Sequence, residues 1–448
     1  MMSGIERHLG VRGAAALMAL SALIALALPA CAGRPCGEMS VAMIPGAALT
    51  LSGGVVYGNR GEVFALRASD GKLLWHTSDA SASSSLYQQP AAPVVDGQTV
   101  IASTGIGGAA AWRASDGKPM WRTQALPGVA PTLSVPEPPP VVSGGVVYEA
   151  AGYGSVAAWD EGDGHLLWMS HFAPQSAADA GQAGGRVSLP LPVVLDDAVY
   201  VSIGTALYSL RSEDGAVLWQ LPEPARGFPY STPTPVAPAG ALYVSAADGS
   251  VTRLDPHTGA QLWRVRDDLA QLDQLILANV VASGATVYIS SSDGTARALS
   301  AAAGRQLWRT TLGDMDQAIA FPTLLDGHVF VASEHGLFML DVTTGRLVWH
   351  ASHDLGRVDP VKVLSSPEVD QGMIFLEDSA GRLEAWRAGN GSLAWQFDQA
   401  TSGYPLAGEG LVFVSRWGWP AVCGNPPTPP QVLALRGSDG SQVWATKA

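Results

Sequence analysis

The side chains best suited to chemistry in this sequence are scattered carboxylates and one tight pair of aromatics. Asp267, Asp268, Asp273, Asp314, Asp316, Asp354 and Asp359 fall in stretches that break the chain's periodicity. Hard carboxylate oxygens in such numbers suit calcium or a basic partner, and they equally suit plain solvated loops. Trp417-Gly418-Trp419-Pro420, followed by the Pro-rich run 426–430, offers two indoles for a protein partner, a glycan or a membrane interface, or for packing on the protein's own body. None of the nine histidines stands in an H-E-x-x-H spacing, and no Walker loop, G-x-S-x-G elbow or C-x-x-C occurs. Glu377-Asp378 is an acidic pair in sequence, but adjacency sets no geometry. The residues therefore assign no catalytic group and no metal ligand set.

Three cysteines carry the remaining reactive chemistry: Cys31, Cys36 and Cys423. Cys31 closes a three-part leader in which Arg7, His8 and Arg12 precede an apolar run over 14–28 and then Pro29-Ala30-Cys31-Ala32-Gly33. That layout is a secretory signal, and its apolar core is short for a spanning helix. Leu28-Pro29-Ala30-Cys31 resembles the lipobox of bacterial lipoproteins, which makes Cys31 the lipidated N-terminus. Ala30-Cys31-Ala32 alternatively offers ordinary signal peptidase an A-x-A site, and an uncleaved anchor is the third reading. All three place the body of the chain outside the cytoplasm, with residues 1–31 as signal and 32–46 as a lead. In an oxidising compartment Cys36 and Cys423 are left as one candidate disulfide, or as two separate thiols.

Charge removes one class of partner. The chain of 448 residues carries a formal net charge of −13, and no run of Lys or Arg concentrates its cations. Nucleic acid is repelled by such a field. Charged residues make up only 15%, while Gly numbers 51 and Pro 31, a balance that suits short strands and tight turns.

Any functional residue is positioned by a repeat. A Gly followed four residues later by Trp recurs as Gly71/Trp75, Gly117/Trp121, Gly164/Trp168, Gly215/Trp219, Gly259/Trp263, Gly304/Trp308, Gly345/Trp349, Gly391/Trp395 and Gly440/Trp444, with successive Trp residues 41 to 51 apart. Six residues before the Gly stands Ala65, Ala111, Ala158, Ala298, Ala385 or Ala434, with Ser209, Arg253 and Met339 in the other three copies. Alternating apolar runs separated by Gly, Asp and Asn turns make each copy four strands, A to D. Such units bury both faces only by packing radially, which predicts an all-β propeller over 47–448. Nine units are counted, with an eight-bladed ring plus one outlying unit as the alternative. The Trp on strand D is expected to lie between a small residue of its own blade and the Gly backbone of a neighbour.

The run Ala65-x-Arg67-x-x-Asp70-Gly71-Lys72-x-x-Trp75 resembles the tryptophan-docking motif of PQQ-like, quinoprotein-type propellers. Asp160, Asp255 and Asp341 match the acidic residue at its third position, and Thr258-Gly259 and Thr344-Gly345 match its Thr-Gly. The resemblance implies the fold across residues 47–448 and leaves function to the loops. Family dehydrogenases hold pyrroloquinoline quinone (PQQ) with calcium, using a vicinal Cys-Cys, a Glu/Asn/Asp set and a catalytic Asp; no Cys-Cys occurs here. The layout resembles instead the BamB-like propeller lipoproteins, which carry no cofactor. The expectation is an exported, lipid-anchored scaffold for a protein or polymer partner in the cell envelope. A PQQ-dependent dehydrogenase is the alternative, and an extracytoplasmic sensor or carbohydrate-binding module a second.

Strand order says where recognition belongs. The A-to-B and C-to-D turns are short and uniform, whereas the D-to-A links and the insertion over 416–430 vary in length. One face is scaffold and the opposite face varies, and variable loops on a rigid body are where binding is expected.

Overall fold

The structure is a computed structural model. It describes residues 47–447 except 78–90, 105–107, 125–138, 152–153, 173–191, 204–205, 223–232, 237–240, 246–248, 267–277, 314–321, 334–335, 353–366, 379–380, 399–403, 417 and 419–428. Cys31, Cys36 and Cys423 lie outside the described residues, as do Trp417, Trp419, Asp267, Asp268, Asp314 and Asp316. Among the described residues no helix is long and apolar enough to cross a membrane.

Thirty-six strands form nine four-stranded antiparallel sheets, and each sheet takes its strands in consecutive order. Blades 1 to 9 span 48–76, 94–122, 141–171, 193–222, 233–265, 278–311, 323–351, 368–397 and 406–447. The nine-bladed reading stands, and the eight-bladed alternative is set aside. Strands A of neighbouring blades touch one another, whereas strands D carry the exposed aliphatics, so A lines the hub and D the rim.

The period-2 alternation explains why the sheets stand like spokes. In blade 1, Tyr57, Ala65 and Trp75 are cross-strand partners on one face. They pack against Val100, Ala102 and Ala110 of blade 2. Val56, Phe64 and Leu66 point the other way, against Phe413, Val432 and Ala434 of blade 9. Nine apolar clusters follow this rule, each shared by two adjacent blades. No blade has a core of its own, and the hydrophobic stabilisation resides in the junctions.

Each Trp fastens one junction. Its indole N–H donates to a backbone carbonyl of the next blade, from 2.6 Å for Trp121 to Glu161 O to 3.0 Å for Trp308 to Val342 O. Trp75, Trp168, Trp219, Trp263, Trp349 and Trp395 reach Ala114, Ser212, Pro256, Ala301, Ala388 and Gly437 in the same way. The ring lies on the motif Gly of that blade; a Cβ on Gly117 would sit 2.6 Å from Trp75 Cδ2. Every motif Gly also has positive φ, +64° to +74°, a conformation that disfavours other residues. The wheel closes without exchanging a strand. Trp444 Nε1 donates to Ala68 O at 2.8 Å, and Thr446 Oγ1 to Gly71 O at 2.7 Å.

Two features of the docking unit go beyond Trp and Gly. A strand-B aromatic leans on the Trp in eight blades, with ring centroids 5.6 to 6.1 Å apart, from Tyr57–Trp75 to Phe413–Trp444. Blade 2 has Ile101 in that register. Burial pushes the Tyr200 hydroxyl up to about 12, and it donates to Pro256 O, the carbonyl that Trp219 also uses. Secondly, every C–D ladder shifts register just after the residue six before the motif Gly, as between Ala65 and Leu66 or Arg253 and Leu254. This bulge is placed alike in all nine copies.

The C–D turns are held by carboxylates, which gives the wheel an acid limit. Backbone N–H groups of Lys72, His165 and Thr258 donate to Asp70, Asp163 and Asp255. The hydroxyls of Thr344 and Ser441 donate to Asp341 and Asp439. These hydrogen bonds lead in holding all five carboxyls below their usual range. A lowered carboxyl contributes its stability above the unfolded value near pH 4 and loses it as pH falls through the folded value. Thermal stability is expected to decline from about pH 4 downward, and Asp341→Asn to flatten that slope. A slope unchanged in Asp341→Asn refutes the assignment.

Candidate functional site

The meander A-B-C-D sends its A–B and C–D turns to one face and its B–C turns and D–A links to the other. The second face carries the long links, and there the ends of strands B and C hold buried charge. Glu149, Asp293, Arg297, Glu377, Asp378, Arg382 and Glu384 are all less than a tenth exposed.

Three clusters result. Between blades 2 and 3, Ser103 Oγ donates to Glu149 Oε1 at 2.6 Å. On blade 6, Asp293 accepts from the Thr295 hydroxyl at 2.6 Å and lies 3.4 Å from Arg309 Nη2, while Arg297 sits opposite Arg309 in the ladder. On blade 8, Arg382 donates through Nε and Nη2 to Asp378 Oδ2 at 2.8 and 2.6 Å, and its backbone N–H donates to Asp378 Oδ1. Glu384 lies 3.8 Å from Arg382 and accepts from Trp386 Nε1 at 3.2 Å. The two-pronged Arg382–Asp378 pair clamps the B–C turn, so that carboxylate is a structural anchor. Arg382→Ala is expected to cost about 3 kcal/mol, as for breaking one partner of a buried pair, with partial recovery in Arg382→Lys. Urea unfolding checks this; a change below about 0.5 kcal/mol counts against the clamp.

These charged residues stand in columns where other copies have small or uncharged ones. The residue before the docking Ala is Phe64, Ala110, Ala157, Tyr208, Thr252, Phe338 and Leu433 in seven copies, but Arg297 and Glu384 in two. Two residues after the strand-B aromatic, Glu377 replaces the Ala, Ser or Asn of other blades. Glu377-Asp378 is visible as a sequence pair; its partner Arg382 emerges only from the turn. Toward the hub, Glu368 opens strand A of blade 8, and burial pushes its carboxyl up. Tyr404, just before blade 9, is 72% exposed on this face.

On the opposite, uniform face Asp160, Asp163 and His165 bring their ligand atoms within 4.8 Å of one another. Their contacts are those of the turn itself: Asp160 accepts from Gly162 and Asp163 N–H, and His165 Nδ1 is 2.6 Å from Asp163. The D-x-x-D-x-H run is the sequence signal for this trio.

A quinone with calcium needs clustered oxygen ligands, cations for three carboxylates and a catalytic carboxylate around the hub. Among the described residues, Glu368 is the acidic group at the hub end of the loop-bearing face, and Arg382 is engaged by Asp378. These described residues by themselves assign no ligand set for that group, and the long links 173–191, 267–277, 314–321 and 353–366 lie outside the described residues.

The family model described as outer membrane protein assembly factor BamB matches residues 36–137, 123–293, 247–396 and 292–448, which together take in every blade. The chain belongs to this family. Among solved structures it resembles BamB from Moraxella catarrhalis at 16% identity, over 76% of this chain and 95% of that one, with a TM-score of 0.53. It also resembles the quinohemoprotein alcohol dehydrogenase from Comamonas testosteroni at 14% identity, over 88% and 74% of the two chains, with a TM-score of 0.51. At these identities the likeness is one of fold. A curated relative, the serine/threonine-protein kinase AfsK of Streptomyces griseus, is 30% identical over 104 residues, which is 23% of this chain and 13% of the kinase. The chain thus matches a small part of that relative's length. The BamB family and the quinoprotein enzymes share the wheel, so the loop face must distinguish them.

Proposed function

We propose that the protein is an exported scaffold of the cell envelope, tethered through lipid on Cys31, whose loop-bearing face engages a protein partner. The observation that carries this reading is how the recurrent residues are used. Trp, Gly, the small residue and the strand-B aromatic all serve blade-to-blade docking. A rigid wheel with variable links on one face is suited to recognition. The family's description as an outer membrane protein assembly factor supports a partner in that machinery, and Trp417, Trp419 and the acidic links 267–277 and 314–321 are the contact candidates. A disulfide between Cys36 and Cys423 would tie the lead to blade 9.

Affinity capture with the full chain from detergent-extracted membranes tests the reading. A stoichiometric protein partner, weakened by replacing Trp417 and Trp419 with Ala, is expected. The second reading, a PQQ-dependent dehydrogenase, is favoured by the fold shared with the Comamonas enzyme. It predicts saturable quinone binding with calcium and dye-linked oxidation of an alcohol; turnover of that kind replaces the scaffold reading.

A further inference from the structure

We propose that Glu368 is a proton-operated latch at the hub end of the junction between blades 8 and 9. As the neutral acid it donates a hydrogen bond to the Pro405 carbonyl, and on ionising it lets that junction loosen. The proposal draws only on described residues and stands whether or not the chain is exported or tethered.

A column of strand-A residues supplies the first observation. The residue paired with the strand-B aromatic faces the next blade. It is Thr50 opposite Tyr57 in blade 1 and Thr323 opposite Phe330 in blade 7. Both hydroxyls donate across the junction to the Pro that precedes strand A of the next blade: Thr50 Oγ1 to Pro93 O at 2.6 Å, and Thr323 Oγ1 to Pro367 O at 2.9 Å. Glu368, opposite Phe375, holds this place in blade 8, and a buried Pro405 precedes strand A of blade 9. Val94, Val141, Val193, Val281 and Leu406 fill the column in five further blades. A donor or an apolar group thus suits the place. An ionised carboxylate against a carbonyl oxygen is repelled, whereas the acid has an O–H to give.

The surrounding charges supply the second. The face that carries Glu368 packs Phe375 and Ala385 against Val412 and Val414 of blade 9. On the same face of blade 8 stand Asp370 and Glu377, each two residues along its strand from Glu368 or Phe375. From blade 9, the alternation that turns Val412 and Val414 to this junction adds Arg416 at the end of strand B. Asp370 Oδ2 accepts from Gly410 N–H at 2.7 Å, toward the turn face. Two of these three groups are acidic and oppose a further negative charge. Burial is what pushes the Glu368 carboxyl up, in keeping with the neutral form.

The sign is opposite to that of the turn aspartates. A raised carboxyl costs nothing below the unfolded value near pH 4.3, and destabilises progressively as pH rises from there through the folded value. Tyr404 adjoins Pro405 and is exposed on the loop-bearing face, so loosening here reaches the surface assigned to recognition.

The test compares the full chain with Glu368→Gln, which keeps a donor without a charge, and Glu368→Thr, which installs the residue of blades 1 and 7. Urea unfolding and amide exchange are followed from pH 4 to pH 8. The folding constant of either variant relative to wild type is expected to rise with pH, by up to about tenfold per unit, and then to level off. At pH 8 the amides of strand A in blades 8 and 9 should exchange faster in wild type than in Glu368→Gln, and at pH 4 alike. A ratio independent of pH in both variants overturns the latch. So does a rising ratio whose exchange difference is spread evenly over the nine blades, because the charge would then not act at this junction.

Discussion

Trp444→Ala is expected to destabilise the wheel more than the same change at any other docking Trp. Truncating a buried indole costs about 3–5 kcal/mol wherever it sits. At eight junctions the blades it joins are also consecutive in the chain, so a loosened junction remains held by its link. Blades 9 and 1 have no such link. Among the described residues, their junction includes Trp444 Nε1 to Ala68 O, Thr446 Oγ1 to Gly71 O, Ala47 N to Ser415 Oγ, and one shared apolar cluster. With the ring removed, the two blades can part at little cost in chain strain. Each then exposes a face that only its neighbour covers. The comparison is Trp75→Ala, which removes the equivalent contact from a linked junction. Urea unfolding should show the larger loss for Trp444→Ala, and amide exchange should rise first in blades 1 and 9. Equal losses, with exchange spread evenly, would mean that closure contributes no more than any other junction.

The second large effect is expected from one methyl group. Gly117→Ala puts a Cβ 2.6 Å from Cδ2 and Cε3 of Trp75, on a backbone with φ of +69°. The left-handed conformation costs about 1–2 kcal/mol for a residue with a Cβ. Overpacking against the ring adds about 1–3 kcal/mol, because the indole is pinned at its other edge by Ala114 O. Gly97→Ala separates the two terms: its φ is +52°, yet its Cβ would meet nothing within 4 Å. Gly117→Ala should therefore lose about 2–5 kcal/mol and Gly97→Ala only the conformational part. If both cost the same, the ring is not resting on Gly117 as described.

Most of the fold was legible because its strongest signals are rigid in spacing. Gly and Trp stay four apart through all nine copies since one turn and one bulge join them. The strand-B aromatic carries as much of the docking surface but escapes a fixed-spacing search. It precedes its Trp by 18 to 20 residues in seven blades and by 31 in blade 9, where an insertion parts strands B and C. The buried charges on the loop-bearing face were hidden differently. Arg297 and Glu384 read as ordinary surface residues until the ladder turns them into an interface, and Arg382 gains meaning only when its turn brings it back to Asp378. Of the residues singled out for recognition, Asp267, Asp268, Asp314 and Asp316 fall between blades, and Trp417 and Trp419 fall in the insertion between strands B and C of blade 9. Periodicity does not fix the course of a link, and neither their grouping nor the fate of Cys36 and Cys423 follows from the wheel.

Because every sheet is drawn from one uninterrupted stretch of chain, the wheel is a string of interchangeable cassettes. An in-frame duplication or deletion of one coding segment between two link sequences adds or removes an entire spoke and never leaves a sheet half-built. Lineages with such a layout can change their spoke number in a single genetic step, with a small adjustment of angle at every remaining contact. By the same logic, joining the present ends and cutting any other link should give permuted chains that fold to the same ring.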